Sequence, residues 1–182
     1  MQAVNRAGFL RRGAAGGGAL LLAGLPVPVA GAAASPDGDL AYLRLLVGVE
    51  LLTQDFASRH RGEPFVAQMQ ADDAAHYHGL ANLLAGAGVQ AATAGDVDFS
   101  YPRAKPNELG WTLKTLSLGA YLGAVENVQT PALRLPLGQI AANEAQHVSA
   151  FAKLLGKPLI GRAFAPALPI AVVSDALDRY ES

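Results

Sequence analysis

Two acid–x–x–His pairs, Asp73 with His76 and Glu144 with His147, are the residues of this 182-residue sequence best placed to do chemistry. Residues i and i+3 lie on one face of a helix, so each pair can present a carboxylate and an imidazole to the same ion. Both pairs interrupt apolar stripes: Met69 and Leu80 flank the first, Ile140 and Phe151 the second. Glu50 sits in the same way between Val47 and Leu51. A buried carboxylate or imidazole is costly unless paired or ligated. Several at one depth repel each other unless a cation lies among them. The order also repeats, Glu50 then Asp73-x-x-His76, and Lys114 then Glu144-x-x-His147. That is the layout of a bundle holding two carboxylate-bridged metals, which needs a Glu from each of two helices and a Glu-x-x-His pair from each of the others. Carboxylates and imidazoles together suit Fe, Mn or Zn.

The neighbouring polar residues read differently. Asp72 beside Asp73 leaves open a solvated acid, and His78 faces away from His76. His60 falls at a helix end, where it can complement the dipole. Asp55 and Glu126 fall off the stripes. Tyr121 and Phe151 read as core, with Tyr121 two turns from Lys114 and able to hydrogen-bond into a polar centre.

Four helices must position these groups. Apolar residues recur at helical spacing over about Asp39–His60, Pro64–Ala85, Asn107–Val128 and Pro131–Leu155. Asp39 and Asn107 are suited to cap the first and third, and Pro64 suits a first turn. Gly62, Gly86, Gly88 and Gly156 punctuate helix ends. Gly110, Gly119 and Gly123 either weaken the third helix or admit a close helix neighbour, and Pro136 can shift the start of the fourth. The linker from Gly86 to Pro106 is long enough to cross the molecule. A short last helix is expected at Ser174–Tyr180; Ala165–Val173 leans towards strand, but Pro166 and Pro169 oppose it. The expected class is all-α: an up-down four-helix bundle with a long central crossover and a short C-terminal helix.

Composition narrows the function. Hydrophobic residues at 51% and charged residues at 16% exclude intrinsic disorder. A net charge of −1 supplies no field for nucleic acid or anionic lipid. With no cysteine, disulfides, thiol catalysis and cysteine-ligated clusters are excluded. No Gly-rich phosphate loop or serine nucleophile elbow occurs. Residues 1–34 carry no acid, three arginines (Arg6, Arg11 and Arg12) and an apolar Gly13–Leu25 run closed by Pro26 and Pro28. They read as a signal peptide cleaved after Ala34, the apolar run being shorter than the roughly 20 residues of a spanning helix. An N-terminal anchor is the competing reading. Asn5-Arg6-Ala7-Gly8-Phe9-Leu10-Arg11 resembles a twin-arginine export signal, imperfectly, with Ala7 at the second arginine. The general secretory route is the alternative. A bundle domain over residues 35–182, periplasmic or extracellular and without a stable membrane span, is the expectation. That part keeps all 15 acids and 11 of the 14 bases, a net charge of −4.

From about Asp39 to Gly156 the chain resembles the exported bacterial ferritin-like domain family related to desiccation-associated proteins. The likeness rests on Val49-Glu-Leu-Leu52, Ala71-Asp-Asp-Ala-Ala-His76, Gly119-Ala-Tyr-Leu-Gly-Ala124 and Asn143-Glu-Ala-Gln-His147, in that order. Val97-Asp-Phe-Ser-Tyr-Pro102 and the arginine-bearing start also fit. The resemblance implies a ferritin-like bundle with Glu50 and His76 on one metal, Asp73 and Glu144 bridging, and His147 on a second metal. The sequence departs from that pattern twice. Asp73 stands where glutamate is usual, and Lys114 occupies the helix-three glutamate position, seven residues before Tyr121.

Lys114 sets the functional expectation. A protonated amine does not ligate a metal, but it can neutralise Asp73 and Glu144 in a metal's place. The expectation is therefore an exported bundle with a degenerate two-metal site and a non-catalytic structural or stress-associated role. It would carry no cofactor, or one divalent metal (Fe, Mn or Zn) on Glu50, Asp73, His76 and Glu144. A mononuclear oxidase or iron-handling protein is the alternative, and a small-molecule or lipid carrier using the crossover is a third reading. A homo-oligomer is compatible with each; a nucleic-acid partner is not expected.

Overall fold

The computed structural model describes residues 36–182, so the expected signal peptide, cleavage site and export motif lie outside the described residues. Five helices follow: α1 (Asp37–Arg59), α2 (Pro64–Gly86), α3 (Pro106–Asn127), α4 (Pro131–Leu154) and α5 (Ile170–Leu177). Prolines set three of the starts. Pro64, Pro106 and Pro131 open α2, α3 and α4, where a missing N–H costs no internal bond. The two caps expected from sequence are therefore not caps. Asn107 lies inside the first turn of α3, and α1 begins directly after Pro36. Asp39 lies inside α1 and reaches across to the start of α4, where its carboxylate accepts the Gln129 and Thr130 N–H groups at 2.7 and 2.9 Å.

The ends of α2 and α4 use one device. Gly88 (φ 74°) and Gly156 (φ 64°) adopt left-handed backbone. Val89 N–H and Lys157 N–H then reach back to the Leu84 and Ala152 carbonyls, each at 2.9 Å. Pro136 neither ends nor delays α4, which begins at Pro131 and runs through it with Leu133 and Leu137 anchored in the core.

Residues 60–63 and 128–130 are short links, which force α1/α2 and α3/α4 into antiparallel hairpins. Residues 87–105 run back over the α1/α2 face. Tyr77 donates to the Ala92 carbonyl at 2.9 Å, Tyr101 to the Leu52 carbonyl at 3.0 Å, and Arg59 to the Phe99 carbonyl at 3.3 Å. The crossover thus delivers the chain to the end where α1 finishes, and α3 runs parallel to α2. Ser100 N–H, donating to the Tyr180 carbonyl at 2.7 Å, ties the crossover to the C-terminal residues.

The close approaches at the α3 glycines are real, but two of the three neighbours are not helical. A Cβ at Gly123 would lie 2.0 Å from the Leu168 carbonyl oxygen, and one at Gly119 would lie 2.6 Å from the Leu168 side chain. An extended strap, pinned by Leu168 N–H to the Gly119 carbonyl at 2.9 Å, occupies that groove. Gly110 instead makes room for the Phe151 ring of α4. The last helix begins at Ile170, four residues before the expected Ser174 and within the stretch that leaned towards strand, because Pro169 ends the strap and opens a helix. Val173 and Leu177 bury its inner face against α1 and α3. Among the described residues no helix is long and apolar enough to cross a membrane.

Candidate metal centre

The mid-points of the four long helices meet at a polar cluster inside an otherwise apolar core. Glu50 comes from α1, Asp73 and His76 from α2, Lys114 and Tyr121 from α3, and Glu144 and His147 from α4. Each interrupts an apolar stripe, so packing of the neighbours forces it inward. Glu50, Asp73, Glu144 and Tyr121 are wholly buried and Lys114 is nearly so.

Lys114 Nζ donates to Asp73 Oδ1 at 2.6 Å and to Glu144 Oε1 at 3.1 Å. The expected salt bridges from Lys114 to the acids of both acid-x-x-His pairs are thus present. His76 Nδ1 lies 3.4 Å from Glu144 Oε1 and 3.5 Å from Glu50 Oε1. Tyr121, read from sequence as core with a hydroxyl able to reach a polar centre, does both: its O–H donates to Glu50 Oε1 in a short hydrogen bond. One donor atom each from Glu50, Asp73, His76 and Glu144 fall within 4.8 Å of one another. His147 stands outside that set. Its Nε2 faces Asp72 Oδ2 at 3.1 Å, and its Nδ1 is 3.7 Å from Glu144 Oε1 and 3.8 Å from Asp73 Oδ1. A carboxylate can only accept, so Nε2 carries the hydrogen towards Asp72.

Asp72 is the member that sequence reasoning missed. It accepts from Gln68 at 2.7 Å as well as facing His147. A signal was available: Asp72 precedes one acid-x-x-His pair just as Asn143 precedes the other. His60 stays outside the site, stacked on Phe56 with ring centroids 4.5 Å apart.

Burial and charge act against each other here. Burial lifts Glu50 to about 7; His76 opposes this, and the like charges of Glu144 and Asp73 add to it. Burial also raises Asp73, although Lys114 pulls the other way. Glu144 would rise by burial, but Lys114 and the two histidines hold it well below the usual carboxylate range. Burial would lower Lys114, yet Glu144 and Asp73 keep its ammonium charged. Burial would lower His76 too, but Glu144 and Glu50 outweigh that and lift it to about 9.

The donor set fits one divalent ion and not two. Glu50 Oε2, Asp73 Oδ2, Glu144 Oε2 and His76 Nδ1 are buried without a hydrogen-bond partner, so each has a free lone pair or an unmet donor. One divalent cation plus the Lys114 ammonium balances three carboxylates, with His76 as a neutral ligand. A second cation would need the place that the ammonium holds between Asp73 and Glu144.

Residues 39–157 match the ferritin-like domain family. The chain belongs to it. No curated protein matches the sequence. Among the described residues of this ferritin-like bundle, Glu50, Asp73, His76 and Glu144 form a group able to hold a metal ion.

Proposed function

We propose that this ferritin-like protein is exported and holds one divalent metal ion of the Fe, Mn or Zn class at a two-metal site made half-sized by Lys114. Its role is stress-associated and non-catalytic. The supporting observation is the convergence of four donors on one point beside an ammonium that already pairs with two of them. When bound, a single ion of this kind supplies Lewis acidity and fixes the carboxylates. It does not supply the paired-metal clamp that spans two oxygens. Glu50 and His76 would hold it from the α1 and α2 side, with Tyr121 orienting Glu50 through its hydroxyl. Asp73 and Glu144 would share their charge between the ion and Lys114. Export and the link to desiccation stress rest on the arginine-bearing start and the crossover motif Val97–Pro102.

A second reading has its own support. Lys114, a charged His76 and one proton shared at Glu50 also balance three carboxylates, which makes a metal-free ion-pair cluster self-consistent. Elemental analysis of residues 35–182, produced with iron, manganese and zinc supplied, separates the two. The expected result is close to one metal per chain, abolished in Glu50→Gln. Two metals would overturn the role given to Lys114. None, in a folded protein, would overturn the metal reading in favour of the ion-pair cluster. An N terminus at Ser35 on the exported protein is the matching expectation for the signal peptide.

A further inference from the structure

A buried metal site needs a way in, and three of the four seams of this bundle are closed. The crossover lies over the α1/α2 seam, held by Tyr77 and Tyr101. The strap at Leu168 and helix α5 lie over α1 and α3. The α3/α4 seam is the most closely packed in the bundle, with Phe151 pressed onto Gly110. The α2/α4 seam is the sparsest contact among neighbouring long helices.

Exposure of the cluster follows the same division. The members on α1 and α3 (Glu50, Lys114 and Tyr121) are sealed. Those with some exposure sit on α2 and α4: His147 at 8%, His76 at 11% and Asp72 at 24% of the side chain. Asp72 is the charged group at this mouth. His147 bridges inward from it, one ring nitrogen on Asp72 and the other, buried and unpartnered, facing Asp73 and Glu144. The Asn143 side-chain oxygen, one turn from His147 on α4, is also buried and unpartnered.

We infer that the α2/α4 seam is the route by which a divalent cation reaches the buried donors, with Asp72 and the Asn143 side-chain oxygen as an outer station where the ion first exchanges water for protein ligands. A carboxylate and an amide oxygen are hard oxygen donors suited to divalent cations. A negative group at a narrow mouth raises the local cation concentration and the on-rate. His147, hydrogen-bonded to Asp72, lies between this mouth and the two carboxylates that Lys114 holds. This inference rests on the buried site binding a metal at all.

The test is stopped-flow uptake of Co(II), followed by its visible absorption, in the full domain and its variants. Asp72→Asn and Asp72→Lys should slow the on-rate, the lysine variant roughly tenfold or more. Asp72→Glu should restore it. Asp55→Asn, the same loss of charge beneath the crossover, should leave it unchanged. An unaltered on-rate in Asp72→Lys overturns the inference, and a weaker affinity with that unaltered on-rate would mean that Asp72 only orients His147. An equal slowing in Asp55→Asn also overturns it, because the effect would then be one of general charge. Failure of the unsubstituted domain to take up Co(II) would overturn the metal site itself, and the route with it. Loss of uptake confined to Glu50→Gln, with Asp72 variants normal, would leave the site standing and remove only the route. Thermal melts confirm that each variant is folded.

Discussion

The two hairpins bring nearly the same equipment to the centre and use it differently. In the α1/α2 half, Glu50 and His76 point at the same space, and Tyr121 from the other half donates to Glu50. In the α3/α4 half, the position matching Glu50 is Lys114, and His147 turns its outer nitrogen to Asp72. One half offers lone pairs where the other offers an ammonium. A single residue type at one helix position thus puts a counter-ion where the other half has a ligand. The difference also shows why both acids of the pairs remain. Asp73 and Glu144 both touch Lys114, so each is needed whether or not a metal is present.

Removing the ammonium should expose this asymmetry most strongly. Lys114→Met keeps the length and apolar stem but leaves Asp73 and Glu144 uncompensated. Stripping one partner from a buried ion pair costs about 3–5 kcal/mol. The expected outcome is a loss of that order in urea unfolding with chelator present, recovered in part when Co(II) or Zn(II) is added, since a ligand that binds only the folded state stabilises it. A variant as stable as the parent in chelator would mean that the charges at Asp73 and Glu144 are already neutralised by protons.

The α1/α2 half should respond less. Tyr121→Phe removes the one hydroxyl donor to Glu50 and leaves a buried carboxylate less satisfied, at a cost of about 1–3 kcal/mol. If the metal is bound chiefly through Glu50 and His76, this variant also weakens metal affinity, whereas loss of the Asp72 contact to His147 acts on the rate of uptake. Titration with Co(II) reads the first effect. An unchanged affinity and midpoint would remove Tyr121 from the site.

Much of this was legible in the sequence, for physical reasons that differ by residue. Lys114, Glu50 and the two acid-x-x-His pairs could be placed because a charged group on an apolar stripe has nowhere to go but inward. The long helices end within two residues of expectation because Gly88, Gly156 and the prolines at 64, 106 and 131 are strong local punctuation. Less legible was whatever depends on a partner distant in sequence. Asp39 resembled a local cap because its side chain suits one; its actual partners lie 90 residues away. Asp72 carried no role of its own in the sequence because only the approach of α4 gives it His147. The strap at Leu168 could not be foreseen, since small residues at Gly119 and Gly123 announce a close approach but not by what.

Asp39 provides the smallest of these tests, and it probes whether the halves are coupled or merely adjacent. Its carboxylate, on α1, holds the two N–H groups that open α4, so it joins the hairpins at one end. Burial would raise its pKa, but Thr130, Gln129 and the nearby Arg134 outweigh that and hold it below the ordinary 3.8. A group depressed in the folded state contributes stability that is full above its unfolded value and disappears as pH falls through its folded value. Asp39→Asn should therefore cost about 1 kcal/mol at neutral pH, within the range of a lost helix-capping carboxylate. That difference should close as both proteins are acidified below pH 3.8, because protonation does to Asp39 what the substitution does. Paired urea curves across that range decide it. A gap that persists in acid would mean that the amide fails on shape rather than charge, and that the junction holds the hairpins by geometry alone.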